Sequence, residues 1–351
     1  MTVGLALLGL LLLYLVVTAL SWWVLRVPHR VDERATCRTA DDVDLALFRL
    51  RGTVPRRYPV LLVHGMGVDH RVFDVTPRTS LARALQAQGF DVWMLDLRGV
   101  GASRRGVPRD GGLDDYIQYD LPAALAHVRE ATHRPAVHLV GYSMGGTIGY
   151  GWCARHPDTP GVASFVALGS PWPSDLGPQA RATMRLARTL RWFGVLRLDV
   201  FARLGAWMQG WFYDVIWGFL GAPRGTTGPV FRRAILNASQ PIRWGVVQAF
   251  SRAAEKGEWR SDDGKVSYDD GWARVRLPVR LIAGDHDLVV AGACVAGAWQ
   301  RCGSPDKEYV VLGPDAGCPQ SYGHVDLTWG RHAAEDVYPR ISDWLKRHDA
   351  A

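Results

Sequence analysis

Short apolar runs recur along the chain, each bounded by turn-forming residues. Pro59–Val63 is a short continuous apolar run, the pattern of a strand covered on both faces, and Phe90–Leu95, Ala136–Val140, Val162–Leu168 and Val279–Ala283 are apolar enough to read as further strands. Val43–Leu50 alternates and predicts an early strand, and Glu308–Leu312 the last one. Between them, Ser80–Gln88, Ala123–Glu130, Thr147–Arg155 and Ala333–Arg347 carry helical spacing. Strands alternating with helices in this way predict an α/β fold, with a mostly parallel sheet and helices on both faces. The alternation stops near Trp172 and resumes near Trp272. In the gap, Arg181, Arg185, Arg188 and Arg191 fall at helical spacing, followed by Trp207, Trp211 and Trp217 among other apolar residues. A helical insertion of roughly one hundred residues, with a loop at Gly221–Gly228, is expected there as a lid over the strand ends. The expected division is 1–30 as an anchor, 35–170 and 275–351 as two parts of one core, and 171–274 as the lid.

The N-terminus follows a different pattern. Val3–Leu25 runs 23 residues without a charge, long enough to cross a hydrocarbon core as a helix. Trp22 and Trp23 close it where indoles favour the headgroup level. A cleaved signal peptide is the rival reading, with Val17-Thr18-Ala19 as a small-residue site. No cation precedes the run, however, and the run continues past Ala19, which favours an uncleaved single-pass anchor. Arg26, Arg30, Arg34 and Arg38 follow the span, so the positive-inside rule places the body in the cytosol. A hydrophobic content of 48% and a charged content of 21% fit a globular body. The net charge of +7 and 15 tryptophans suit a membrane surface, and no nucleic-acid module is visible. The five cysteines lack metal-ligand spacing and read as reduced thiols, with a Cys302–Cys318 bridge open in an oxidising compartment. Neither a cofactor motif nor a metal-ligand set is apparent.

The chemistry centres on Val140-Gly141-Tyr142-Ser143-Met144-Gly145-Gly146. A strand that turns into a helix within a few residues holds the turning residue under strain, and glycines two positions either side of Ser143 give it room. This predicts a nucleophile elbow with the Ser143 hydroxyl raised above the sheet and the Met144 N–H at a helix N-terminus. His64-Gly65-Met66-Gly67 follows a central strand, so the Met66 N–H is the second candidate donor to an oxyanion. A serine hydroxyl needs a base at neutral pH, and His324, on the loop after the last strand, is the candidate. Asp287, in Gly284-Asp285-His286-Asp287, is the candidate partner for the other ring nitrogen. Asp285 is the rival acid, and Asp326 lies too near His324 in sequence to be more than a supporting residue. His64, Asp96 and Arg98 read as loop-bracing groups, and His127, His133, His138, His156 and His286 as solvent-facing or packing residues.

Several stations occur together in order: the His64-Gly65 loop, Asp96-x-Arg98-Gly99-x-Gly101-x-Ser103, the elbow, Gly284-x-x-Asp287, and His324. Across about 40–170 and 275–351 the chain thereby resembles the α/β-hydrolases, whose chain order is Ser…Asp…His. The resemblance implies that the fourth residue of Gly-x-x-Asp is the acid, which favours Asp287 over Asp285. The run His324-Val325-Asp326-Leu327-Thr328-Trp329-Gly330 is similar to the histidine region of the acid-lipase branch. It implies a serine hydrolase of carboxylic esters with an apolar acyl part, acting through an acyl-enzyme on a small ester or lipid. An acyltransferase with the same three residues, a cofactor-free haloperoxidase and a non-catalytic tethered binding module are the alternatives. Epoxide and haloalkane hydrolases are disfavoured, because their elbow nucleophile is an aspartate.

Overall fold

In the computed structural model, which describes residues 2–54, 56–104, 111–158, 161–178, 180–182, 195–205, 218 and 220–349, the apolar runs form one eight-stranded sheet. In chain order its strands are β1 (Glu33–Arg38), β2 (Asp44–Leu50), β3 (Val60–Val63), β4 (Val92–Leu95), β5 (Val137–Tyr142), β6 (Val162–Leu168), β7 (Val279–Gly284) and β8 (Lys307–Leu312). They lie side by side as β1-β2-β4-β3-β5-β6-β7-β8. The β1–β2 and β2–β4 pairings are antiparallel, and every pairing from β4 to β8 is parallel. The expected mostly parallel α/β architecture is therefore present.

The continuous apolar strands are explained by a core on each side of the sheet. On β3, Leu61 and Val63 pack with Ile148 and Leu125 on one face, while Val60 and Leu62 pack with Leu85 and Trp344 on the other. All four β3 side chains are fully buried, each worth about 1.5–3 kcal/mol relative to exposure. β1 is not anticipated by the hydrophobic pattern. Its sequence is Glu-Arg-Ala-Thr-Cys-Arg, with only Cys37 buried, and charge on an edge strand blocks pairing with another chain. The expected closing helix is two helices, Ala333–Asp336 and Tyr338–Arg347. Pro339 has no N–H to continue the first ladder and instead opens the second helix.

Between β6 and β7 the described residues form the helices Leu198–Leu204, Gly228–Ala238, Trp244–Lys256 and Tyr268–Trp272. A short antiparallel pair, Val195–Leu196 with Ile242–Arg243, joins two parts of this region. Arg185, Arg188, Arg191, Trp207, Trp211 and Trp217 lie outside the described residues. The loop expected at Gly221–Gly228 ends one residue early, because Gly228 starts a helix behind Thr227.

The N-terminal helix, Thr2–Leu25, is long and apolar enough over Gly4–Leu25 to cross a membrane, and no part of that stretch is buried within the protein. Its end is fastened to the body. Asn237 Oδ1 accepts from the Val27 N–H at 3.0 Å, and Asn237 Nδ2 donates to the Leu25 carbonyl at 3.0 Å. All five cysteines are free and buried, so Cys302 and Cys318 are not bridged.

Candidate active site

Four loops meet at the carboxyl edge of the parallel strands, the edge at which open α/β sheets bind ligands. Ser143 directly follows β5 and precedes the helix Met144–Arg155. Its φ of 54° and ψ of −121° form a backbone that a side-chain-bearing residue adopts only under strain. The surroundings impose it: the Ser143 N–H donates to the Leu168 carbonyl at the end of β6, at 2.7 Å. Glycine is obligatory on both sides of the turn. A Cβ on Gly141 would collide with the backbone of Gly146, and one on Gly145 with the Val63 carbonyl at the end of β3.

His324, on the loop after β8, brings its Nε2 to 3.0 Å from Ser143 Oγ. Its Nδ1 lies 2.7 Å from Asp287 Oδ2. Because Nδ1–H faces a carboxylate, Nε2 is left to accept from the serine hydroxyl. Asp287 follows β7 and is itself held, its Oδ1 accepting from the N–H groups of Val289 (2.9 Å) and Val290 (2.7 Å). The three side chains predicted to meet are therefore within hydrogen-bonding reach, although residues 143 and 324 lie 181 positions apart.

Both rival acids have other work. Asp285 accepts from the Tyr322 N–H at 2.7 Å and from Ser321 Oγ at 2.8 Å, bracing the approach to His324. Asp326 is fully buried, and its Oδ2 accepts from the N–H groups of Ala222 (2.7 Å) and Gly323 (2.8 Å). Burial outweighs those two bonds and raises the Asp326 carboxyl to about 6. Asp326 thus pins the segment around Ala222 to the loop that carries His324.

The second candidate oxyanion donor lies on the loop after β3. A Cβ on Gly65 would sit 3.0 Å from the Cβ of Ser143, so that loop is in contact with the elbow. The Met66 N–H finds no backbone acceptor among the described residues. Met144 is the first residue of its helix, and a helix leaves its first N–H groups without an internal acceptor. His64 fixes the loop from beneath: its Nδ1 donates to the Gly65 carbonyl (2.8 Å) and its Nε2 accepts from the Leu97 N–H (3.2 Å). Burial lowers its pKa, so it stays a neutral brace.

Asp96 and Arg98 do brace loops, but with different partners. Asp96 accepts from His70 Nδ1 at 2.6 Å and from the Ala102 N–H at 2.8 Å. The contacts with His70 and the Ala102 N–H outweigh its burial and hold its carboxyl below the usual carboxylate range. Arg98 bonds Asp41 and Asp120. His138 is a packing residue, buried with its Nδ1 2.8 Å from Ser164 Oγ. Tyr142 was not anticipated from the sequence: its hydroxyl donates to the His324 carbonyl at 3.3 Å, and no periodic signal marks it. Among the described residues, Asp69, His70 and Asp96 bring ligand-type atoms within 4.8 Å of one another, and none of the three is a member of the Ser143, His324 and Asp287 set.

Such a set lets an imidazole take the hydroxyl proton as the oxygen attacks a carbonyl carbon, while N–H groups face the developing oxyanion. Known proteins share parts of this sequence and its fold. A mouse (Mus musculus) lipase member M is 24% identical over 82% of this chain and 75% of its own length. Triacylglycerol lipase 2 of Arabidopsis thaliana is 36% identical, but the match spans 27% of this chain and only 25% of that protein. A poly(3-hydroxyalkanoate) polymerase subunit of Haloferax mediterranei is 29% identical over 82% of the chain and 58% of its own length. Among solved structures, a Thermogutta terrifontis esterase superposes with a TM-score of 0.59, at 19% identity, over 90% of this chain and 99% of its own. The model of the alpha/beta hydrolase fold family matches residues 58–317, most of the chain, and the chain belongs to that family.

Proposed function

We propose that the protein is a membrane-anchored serine hydrolase of carboxylic esters with an apolar acyl part. Ser143 is the nucleophile, His324 the general base and Asp287 the residue that orients it. The observation that carries this reading is the unbroken relay of Ser143 Oγ to His324 Nε2 (3.0 Å) and His324 Nδ1 to Asp287 Oδ2 (2.7 Å). Ser143 Oγ adds to the ester carbonyl carbon as its proton passes to Nε2. The oxyanion is held by the Met66 and Met144 N–H groups, each worth roughly 3–4 kcal/mol in comparable sites. Collapse expels the alcohol, which takes the proton from His324, and water attacks the resulting acyl-enzyme by the same route.

The lipase relatives support an apolar acyl group, the exposed helix Thr2–Leu25 supports a single-pass anchor, and the cations Arg26, Arg30, Arg34 and Arg38 after it favour a body on the cytosolic side. The described helices between β6 and β7 are read as part of a cap over the site. The experiment is a series of p-nitrophenyl esters of increasing acyl length, run on the detergent-solubilised protein. Turnover should rise from acetate to medium or long chains and vanish in Ser143→Ala. A strong preference for acetate would remove the lipid reading.

Acyl transfer is the second reading, favoured by the similarity to a polymerase subunit. Product analysis with and without an alcohol or hydroxyacyl acceptor separates transfer from hydrolysis.

A further inference from the structure

The apolar helix Thr2–Leu25 is not equally exposed all round. From Gly4 onward, Tyr14, Val17, Thr18, Ser21 and Leu25 are half-covered and every other residue is exposed. Their spacing is that of one helix face, and the body of the protein lies against it. Two helices between β6 and β7, Leu198–Leu204 and Gly228–Ala238, make that contact. Asn237 Nδ2 donates to the Leu25 carbonyl at 3.0 Å, and Arg203 Cζ sits over the Trp22 ring, 5.8 Å from its centroid. Farther along the span, the Tyr14 hydroxyl donates to the Leu204 carbonyl at 2.7 Å.

Trp22 and Trp23 mark the headgroup level, and Tyr14 lies about 12 Å further in, at roughly 1.5 Å per residue. Helical side chains lean toward the N-terminus, so the Tyr14 hydroxyl does not reach back toward the headgroups. The C-terminal end of Leu198–Leu204 is therefore level with the acyl chains of a hydrocarbon core about 30 Å thick. One turn apart on this helix, Phe201 and Leu204 are 66% and 43% exposed. Carbonyls at a helix end lack internal partners and hydrocarbon offers none, so the Tyr14 hydroxyl caps one where water cannot. The charges of the helix are accommodated too. Asp199 is buried and accepts from Arg197 Nε (2.9 Å) and Nη2 (3.1 Å), while Arg203 extends to the interfacial Trp22. Arg26 and Arg30, just past the span, and Arg233, which lines one small cavity with Val27, are exposed where lipid phosphates lie.

We propose that the helix Leu198–Leu204 is seated among the acyl chains of the leaflet facing the body, alongside the apolar helix, with Phe201 and Leu204 against lipid. This rests on the reading of Thr2–Leu25 as a membrane anchor and not on the ester chemistry. Two side chains are too few to hold the body to a membrane without the span. Their position brings the leaflet close to the candidate oxyanion loop: directly after Gly228–Ala238, the Gln240 N–H donates to the Gly67 carbonyl at 2.8 Å.

The test attaches a nitrobenzoxadiazole fluorophore to Phe201→Cys, and separately to Leu204→Cys, in the full-length protein. Each is reconstituted at one chain per nanodisc of phosphatidylcholine and phosphatidylglycerol. The five native cysteines are buried, and intact mass confirms a single label. Leu12→Cys, on the exposed part of the span, is the reference inside the membrane. Lys265→Cys is the reference in water, because Lys265 lines a surface pocket with Arg155, at the far end of the helix that begins after Ser143. Nitroxides on the acyl chains should lower emission at 201 and 204 at least twofold, and more than headgroup nitroxides do, with the Lys265 probe unaffected. Circular dichroism and cooperative unfolding report that each labelled protein is folded. If the 201 and 204 probes behave like the Lys265 probe while the Leu12 probe is quenched, the proposal is overturned and the anchor stands. An unquenched Leu12 probe overturns both. Blue-shifted emission at 201 and 204 that no lipid nitroxide quenches, or that needs two chains per disc, assigns the face to a protein cover such as a second copy and also overturns the proposal.

Discussion

Asp287→Asn tests the relay most sharply, because the substitution changes which proton is where and little else. In the wild type, Asp287 Oδ1 accepts from the N–H groups of Val289 and Val290, and Oδ2 faces His324 Nδ1. An asparagine has one acceptor oxygen and one NH2 group to place in these two positions. Turning the NH2 toward Val289 and Val290 would set donors against donors, at about 1–3 kcal/mol for each buried group left unsatisfied, or about 2–6 kcal/mol for the pair. The oxygen therefore stays with the two backbone N–H groups, and the NH2 faces His324. The imidazole must then accept at Nδ1 and carry its proton on Nε2, where it can no longer take the Ser143 proton. In comparable triads the wrong tautomer costs about 10⁴-fold in kcat, or about 5.5 kcal/mol of barrier. Initial rates on p-nitrophenyl butyrate at roughly pH 8 should show that loss, with KM and Tm little changed. Asp285→Asn, which touches Ser321 and Tyr322, should cost less than tenfold. A kcat loss below tenfold in Asp287→Asn would refute the assignment of the acid.

Gly145→Ala should lower stability by about 1–3 kcal/mol in urea unfolding, because its methyl would meet the rigid Val63 carbonyl; an unchanged midpoint would count against the packing described at the elbow. For Asp326, raised to about 6 by burial, the folded state holds the proton more tightly than the unfolded chain, whose carboxyl titrates near 4. Its contribution to stability therefore falls as pH rises from about 4 to about 6, by up to about 3 kcal/mol. Asp326→Asn should flatten that part of the stability curve, and parallel curves for the two proteins would contradict the reading. Deleting residues 2–25 should move the protein from the membrane fraction to the soluble fraction while a water-soluble ester is still turned over; membrane retention would locate the anchor elsewhere.

Much of the sheet was legible because β3 to β7 are buried on both sides, so their runs are apolar with few interruptions, such as His138 in β5, Ser164 in β6 and Arg280 in β7. β1 was not, since an edge strand of Glu33, Arg34 and Arg38 has the composition of a loop and owes its pairing to β2. Ser143 and His324 were legible from strand–turn–helix context and chain order. Choosing between Asp285 and Asp287 needed the resemblance to a family, because residues two apart differ only in how the loop after β7 bends. Its bend is set by the Val289 and Val290 N–H groups on one carboxylate and the Tyr322 N–H on the other. The pairing of His29 with His70 had no signature in the sequence. Its members belong to different segments, and only the sheet edge and the linker bring them together.

The central claim is that the Ser143 hydroxyl is the activated nucleophile. A fluorophosphonate added to the full-length protein in detergent, followed by intact-mass and peptide mass spectrometry, tests it directly. The account predicts one adduct per chain, mapped to Ser143, with labelling at least a hundredfold slower in His324→Ala. A folded protein that takes no label, or one that is labelled as fast after Ser143→Ala, would contradict it.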